Sequence, residues 1–453
     1  MIIGRTTELE YLNNYYKRTG SQILVVYGQK HIGKKTLLKE FVMDKPYYYY
    51  QARACVEREQ QFWWGNELAG MHIKTSKYPT YGEVLEGITS KPTSKKVIII
   101  DEFQNIIKNS DTFMKELVAY VQNQWSRQEV LVILCSSSIG WIENSMISKI
   151  GEVAYDLSGL LKVKELDFQY LKEYFPGYTT QQCIEVYSVL GGFPGLWKYF
   201  TDKISVKENI CNNLLDKSSF LFGEGERIVK DELREVSVYN TILASLASGN
   251  NKLNALYEHT QFSRAKISVY LKNLMELEIV EKVFSYDSEG REHTQKGIYR
   301  ICNHLVDFYY TYMYPNMSRL SMEQTSSFYD EFVSENFKSY TARYFGKVCS
   351  QYIENRNEED SLPFHIEEMG EWVGKVGVVD VIAEGDGKAM IAGCNWDKPK
   401  YTYEDYEWLI FCAKKARIEP DYIYLFSVDK FDETLVLEAN NKENLRLISA
   451  GEL

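Results

Sequence analysis

An apolar run, Ile23-Leu24-Val25-Val26-Tyr27, opens directly onto Gly28-Gln29-Lys30-His31-Ile32-Gly33-Lys34-Lys35-Thr36 and then onto Leu37-Leu38-Lys39-Glu40-Phe41, an order that few folds accommodate. An uncharged run of this length reads as a strand covered on both faces, and the stretch after the glycines has helical composition. Between them, Gly28 and Gly33 let the main chain curl so that successive N–H groups point inward at an anion, with the helix dipole behind them. The pattern GxxxxGK followed by Ser or Thr, when it joins strand to helix, is specific for the phosphates of a nucleotide, and Lys34 supplies a full positive charge for the β and γ groups. Residues 28–36 are therefore the expected ATP-binding segment, and a parallel α/β sheet is the expected frame.

One position departs from that pattern. The Ser or Thr hydroxyl that usually ligates Mg²⁺ after the lysine is replaced by Lys35, and Thr36 arrives one residue late, turned about 100° round the helix. Two outcomes stay open at this point. Either Lys35 opposes the metal and impairs hydrolysis, or it swings to solvent and Mg²⁺ is held by water and an acidic strand. That strand is Val97-Ile98-Ile99-Ile100, which ends in Asp101-Glu102-Phe103-Gln104. Strand ends in a doubly wound sheet converge on the ligand, so Asp101 is expected beside the phosphates and the metal. Glu102 is expected to orient or deprotonate the attacking water. A third apolar run, Val130–Leu134, leads into Ser136-Ser137-Ser138, whose hydroxyls either face the γ-phosphate or simply form a turn.

The remaining length argues for more than one domain, since 453 residues leave room for two to four. From about Asp167 the apolar spacing turns helical and is broken at Gly191-Gly192-Phe193-Pro194. Residues 226–315 read as three helices followed by two β-rich stretches round a polar tip at 286–294. In the third of these helices, Arg264 to Leu277, Ser263 is the cap and Ile267, Leu271 and Leu274 share one face. Arg264, Lys266 and Lys272 lie off that face with no acidic residue between Ser263 and Met275, and Arg291 and Lys296 would extend the cationic surface. Duplex DNA is one expected occupant of that surface; a solvated face on a spacer is the other reading. After Tyr314-Pro315-Asn316 the chain reads as a helix, strands near 364–369, 376–383 and 389–392, a helix at 403–415 and a strand at 422–426. The tract Tyr47–Tyr50 reads as the end of a strand rather than a site.

Composition narrows the function classes. Lys and Arg total 52 against 63 Asp and Glu, a net charge of −11, so the surface as a whole does not suit nucleic acid or anionic membrane and any such contact is local. The eight cysteines are scattered without a CxxC and the six histidines are scattered too, which suggests reduced thiols and neither a disulfide framework nor a zinc site. No apolar run approaches the ~18 residues of a membrane span, and Met-Ile-Ile-Gly-Arg is too soon polar for a signal peptide. A cytoplasmic protein without a membrane partner is the expectation.

Taken with Ile3-Gly4-Arg5 and Glu8, the loop at 28–36, Ile100–Gln104 and Gly191–Pro194, the sequence resembles a known family. It looks like the archaeal and bacterial AAA-like ATPases of the STAND class, signal-transduction ATPases with numerous domains, whose members carry a C-terminal domain of restriction-endonuclease-like fold. The resemblance implies an α/β chain with a P-loop NTPase parallel sheet over 1–165 and a helical lid over 166–225. A winged helix over 226–316 and a small α/β restriction-endonuclease-like domain over 317–453 would follow. It implies ATP, with Mg²⁺ in doubt because of Lys35, and as partners duplex DNA, another protein or a second copy of the chain. Members often show Gly-Arg where this sequence has Gly159-Leu160, which leaves Lys162 or Lys164 as substitutes for the missing cation. In the tail Asp380 is in place, but Gly393 and Asn395 stand where Glu and Lys are usual, and Gly346 where a helical Glu is. One carboxylate does not hold a catalytic Mg²⁺, so the tail is expected to keep the fold without nuclease chemistry. A slow ATP-hydrolysing switch is the leading expectation, and a non-hydrolysing nucleotide-binding scaffold or DNA-binding regulator the alternative.

Overall fold

The computed structural model describes residues 2–91, 94–123, 128–286 and 297–453. The chain divides into two compact units, Met1–Glu165 and Leu166–Leu453.

The first unit is built on five parallel strands, β1 (Gln22–Tyr27), β2 (Tyr47–Gln51), β3 (Lys96–Asp101), β4 (Val130–Ser136) and β5 (Gly159–Lys162), in the order β2-β3-β4-β1-β5. The three uncharged runs become β1, β3 and β4, and every residue of β4 is buried, as strands covered on both faces require. The tyrosine tract forms β2, with Tyr48 and Tyr50 inward and Tyr47 exposed. Trp64 stacks on Tyr50 at 4.0 Å between ring centres and anchors the helix Glu57–Gly70 against that face. The strand β5, not expected from the sequence, is short and half-exposed, and its pairing with β1 supplies what its composition does not.

The register of this sheet positions the site. Tyr27 lies opposite Ser136, Asp101 opposite Cys135, and Gln51 opposite Asp101. The carboxyl ends of β1, β2, β3 and β4 thus share one edge, and the helix Lys34–Phe41 leaves from that edge.

The second unit begins with short helices, among them Thr180–Leu190, which starts in a Thr179/Gln182 capping box and stops at Gly191 with φ 58°. A Cβ at Gly191 would meet the His304 ring at 3.0 Å, so the turn needs glycine for its backbone and for space. Three helices, Val236–Ala247, Leu253–Thr260 and Arg264–Glu276, are followed by an antiparallel pair, β6 (Val280–Val283) and β7 (Ile298–Ile301). The polar tip that carries Arg291 and Lys296 lies outside the described residues.

The long helix Ser334–Glu358 precedes a second sheet in the order β12-β11-β10-β9-β8. Its strands are β8 (Glu368–Val373), β9 (Val378–Gly385), β10 (Lys388–Asn395), β11 (Tyr422–Ser427) and β12 (Leu445–Ser449). Asp386 and Gly387 both take positive φ, 52° and 70°, and close the two-residue hairpin between β9 and β10. Parallel pairing of β10, β11 and β12 then requires crossovers, supplied by the helices Tyr403–Ala416 and Glu433–Asn441. The first tail strand starts at Glu368 rather than near Phe364, because its ladder with β9 begins at the Glu368–Glu384 pair. The last helix and β12 carry few uninterrupted apolar residues and were not expected from the sequence.

Candidate functional site

At the shared edge, the loop from Gly28 to Gly33 is fixed by main-chain contacts. The Gly28 N–H donates to the Ser136 carbonyl at 3.3 Å, and a Cβ on Gly28 would run into the Val163 carbonyl oxygen. His31 has φ 64° and Gly33, the cap of the helix that follows, has φ 96°. Arg5, buried at the start of the chain, donates to the carbonyls of Ile32 and Lys164 at 2.8 Å each and pairs with Glu8 at 2.6 Å. It therefore pins the middle of the loop, a role the sequence did not disclose.

The Lys34 ammonium lies inside the loop and donates to the carbonyls of Gly28 at 2.7 Å and Gln29 at 2.9 Å. Burial pulls this group down from the ordinary lysine range, against the opposing pull of Cys135, Glu102 and Asp101. Asp101 and Glu102 stand at the end of β3. Glu102 has φ 53°, a left-handed conformation that a residue with a Cβ adopts only where its surroundings enforce it. Its Oε2 accepts from the Ser137 N–H at 3.2 Å, the Ser137 hydroxyl at 2.9 Å and the Gln104 amide at 2.6 Å. Among Ser136, which ends β4, and the two serines that follow it, Ser137 reaches Glu102. Lys162 is paired with Glu143 at 2.8 Å, and Leu160 is half-exposed on β5.

The donor set fits a nucleotide better than it fits Mg²⁺. Asp101 Oδ2 accepts from the Tyr49 hydroxyl at 2.6 Å and Oδ1 from the Glu102 N–H at 3.1 Å. The Lys35 ammonium is 3.8 Å from Asp101 Oδ2, donates to Gln51 Oε1 at 3.4 Å, and lies 5.2 Å from the centre of the Tyr49 ring. Thr36 is exposed. Among the described residues there is no cluster of three or more His, Cys, Asp or Glu side chains able to hold a metal ion. The tyrosine tract thus touches the site after all, through Tyr49, whose hydroxyl is pushed up by burial and by its bond to Asp101. An alternating strand places every second side chain on the same face, which is the signal that singles out Tyr49 once Asp101 is known to pair with Gln51, two residues further along β2.

The tail's counterpart residues come together differently. Asp380 on β9 is half-buried; its Oδ2 accepts from the Cys394 N–H at 2.8 Å, and desolvation of the carboxyl pushes it up to about 6. At Gly393 a Cβ would run into the Tyr401 hydroxyl and meet Leu409 at 3.0 Å. Asn395 is buried and closes a turn, donating to the Lys398 carbonyl at 3.2 Å and to Ser427 at 3.3 Å. A Cβ at Gly346 would meet nothing within 4 Å. On the helix Arg264–Glu276, Ile267, Leu271 and Leu274 are fully buried and Arg264, Lys266 and Lys272 are exposed. Arg264 stacks on Tyr257 at 4.2 Å, Lys266 on Phe262 at 4.6 Å, and Lys272 is 3.7 Å from Glu276.

Comparisons with known proteins bear on the same regions. Residues 66–200 match the family model described as an ATPase domain predominantly from Archaea, a span that takes in Asp101, Glu102 and Ser137 and begins after the loop. Residues 309–407 match a family of archaeal and bacterial proteins of unknown function. With the parallel sheet and the loop at its edge, the first match supports a nucleotide-binding ATPase domain of the P-loop kind. An uncharacterized protein of Methanocaldococcus jannaschii is 28% identical over 403 residues, covering 87% of this chain and 88% of its own. Among solved structures, the Walker-type ATPase of Pyrococcus abyssi is 16% identical with a TM-score of 0.49, over 68% of this chain and 96% of that one. The Aeropyrum pernix ORC2 protein, solved as ADPNP and ADP complexes, is 14% identical with a TM-score of 0.46, over 71% and 95%. No helix among the described residues is long and apolar enough to cross a membrane, and none of the eight cysteines, all described, is in a disulfide.

Proposed function

We propose that this chain is an ATP-binding, slowly hydrolysing regulatory switch of the STAND/AAA-like class. The observation that carries the reading is the loop Gly28–Lys34 at the edge of the parallel sheet, with the Lys34 ammonium drawn inside it. In this reading Glu102 is the base for the attacking water, held in position by Ser137 and Gln104. The segments 166–225, 226–316 and 317–453 act as lid, winged helix and nuclease-like tail without nuclease chemistry, and the carboxyl-terminal unit carries the output of the switch. Support for an inert tail comes from Gly393 and Asn395: the first has no room for a carboxylate, and the second is used as a turn residue.

Hydrolysis by Glu102 has a direct test. Glu102→Gln keeps the side chain's size and its acceptor oxygen but removes the base, so phosphate release is expected to fall about 100-fold or more with ATP affinity unchanged. Phosphate release equal to the wild type would exclude Glu102 from that role. A second reading, a non-hydrolysing nucleotide-binding scaffold, is favoured by the Lys35–Asp101 approach, and it predicts ATP affinity with no phosphate release in either protein.

The exposed Arg264, Lys266 and Lys272 are the residues proposed to meet duplex DNA. Binding of a generic duplex is expected to weaken about tenfold or more between 50 and 200 mM salt, and the triple alanine variant to weaken it further at low salt. A gel-shift titration unchanged by both would assign the helix to packing.

A further inference from the structure

A divalent cation beside a bound triphosphate does two things: it neutralises phosphate charge, and it ties the phosphates to the acidic strand. In this chain an ammonium group already stands where such a tie would run. Lys35 leaves the first turn of the helix that follows the loop, one residue after Lys34, and its Nζ reaches across to the ends of β2 and β3. There it lies 3.8 Å from Asp101 Oδ2 and 3.4 Å from Gln51 Oε1, over the face of Tyr49. The Asp101 carboxylate is the group that would otherwise face the metal, and both its oxygens already accept hydrogen bonds, from Tyr49 and from the Glu102 N–H. The hydroxyl that would complete the metal's ligands is absent at position 35, and Thr36 is exposed. About half of the Lys35 side chain is open to solvent, so its head remains within reach of an incoming anion.

We propose that Lys35 takes the place of the divalent cation at this site, and that the loop therefore binds a nucleoside triphosphate in its metal-free form. Lys34 and Lys35 together oppose the phosphate charge, and Lys35 bridges it to Asp101. A lysine next to the metal position also repels a divalent ion, which gives the substitution a second effect in the same direction. The proposal rests on the nucleotide reading of the loop and adds to it the form of the ligand.

The test is a titration of the full chain with fluorescently labelled ATP, once with excess Mg²⁺ and once with excess EDTA, for the wild type, Lys35→Thr and Lys35→Ala. Wild-type affinity is expected to agree within about threefold between the two conditions. Lys35→Thr restores a hydroxyl and is expected to bind about tenfold more tightly with Mg²⁺ than with EDTA; Lys35→Ala is expected to lose about tenfold in EDTA. Because about half of the Lys35 side chain is open to solvent, thermal melts of both variants should match the wild type, which separates loss of binding from loss of fold. Wild-type affinity that drops tenfold or more on chelation overturns the proposal while leaving the nucleotide reading intact. Absence of binding in both conditions overturns both.

Discussion

Lys34→Ala is expected to weaken ATP binding on the order of 100-fold while leaving the melting temperature unchanged or slightly raised. The two halves of that result share one cause. The Lys34 ammonium is buried and donates to the carbonyls of Gly28 and Gln29, and burial lowers its affinity for the proton. A folded state that depresses a lysine disfavours its charged form relative to the unfolded chain, so at neutral pH that charge opposes folding. Removing it relieves the burial cost, and the two carbonyls lose a donor worth about 1 kcal/mol each in net terms. The same ammonium is the charge placed for the β and γ phosphates, where a charge-assisted bond contributes roughly 1.5–3 kcal/mol, or about 10- to 100-fold in affinity. Fluorescent-ATP titration paired with a thermal melt checks both halves; unchanged affinity would remove the loop from the binding site.

The second large effect concerns the tail. Gly393→Glu is expected to destabilise the protein by about 3 kcal/mol or more, and Gly393→Glu with Asn395→Lys is expected to leave plasmid DNA intact in Mg²⁺. The Cβ has no room beside the Tyr401 hydroxyl and Leu409, so the new side chain must displace packed groups, which costs about 1–3 kcal/mol by itself. Its carboxylate would then be buried in the sheet that carries Asp380, whose own carboxyl is already pushed up by desolvation. A buried and unpaired negative charge adds several kcal/mol. At 395, Lys would lose the turn that Asn395 closes with Lys398 and Ser427. Urea unfolding measures the first part, and plasmid incubation the second. Cleavage by the double variant at wild-type stability would mean that the tail keeps a working nuclease frame.

How much of this was legible in the sequence depended on whether neighbouring residues carried the information. The loop at 28–36 and the strands β1, β3 and β4 are local patterns, and they were readable because an uncharged run has one structural use in a parallel sheet. The stripe Ile267, Leu271 and Leu274 was readable for the same reason, and all three are buried. By contrast β5 and β12 gain their structure from pairing with strands more than a hundred and about twenty residues away, and nothing in their own composition announces it. The site divides in the same way. Lys34, Asp101 and Glu102 stand in recognisable order, whereas Arg5, Tyr49 and Ser137 join the site only through the fold. The direction of the Lys35 side chain was open in the sequence between metal and solvent; it depends on Asp101 and Gln51 ending side by side, which is a matter of strand register.

A crystal structure of the full chain grown with ATP would show whether the loop holds the nucleotide. The expected density is a triphosphate wrapped by the main chain of residues 28–34, with the Lys34 ammonium turned from the Gly28 and Gln29 carbonyls onto the phosphates. A nucleotide bound elsewhere, with Lys34 still on those two carbonyls, would contradict it.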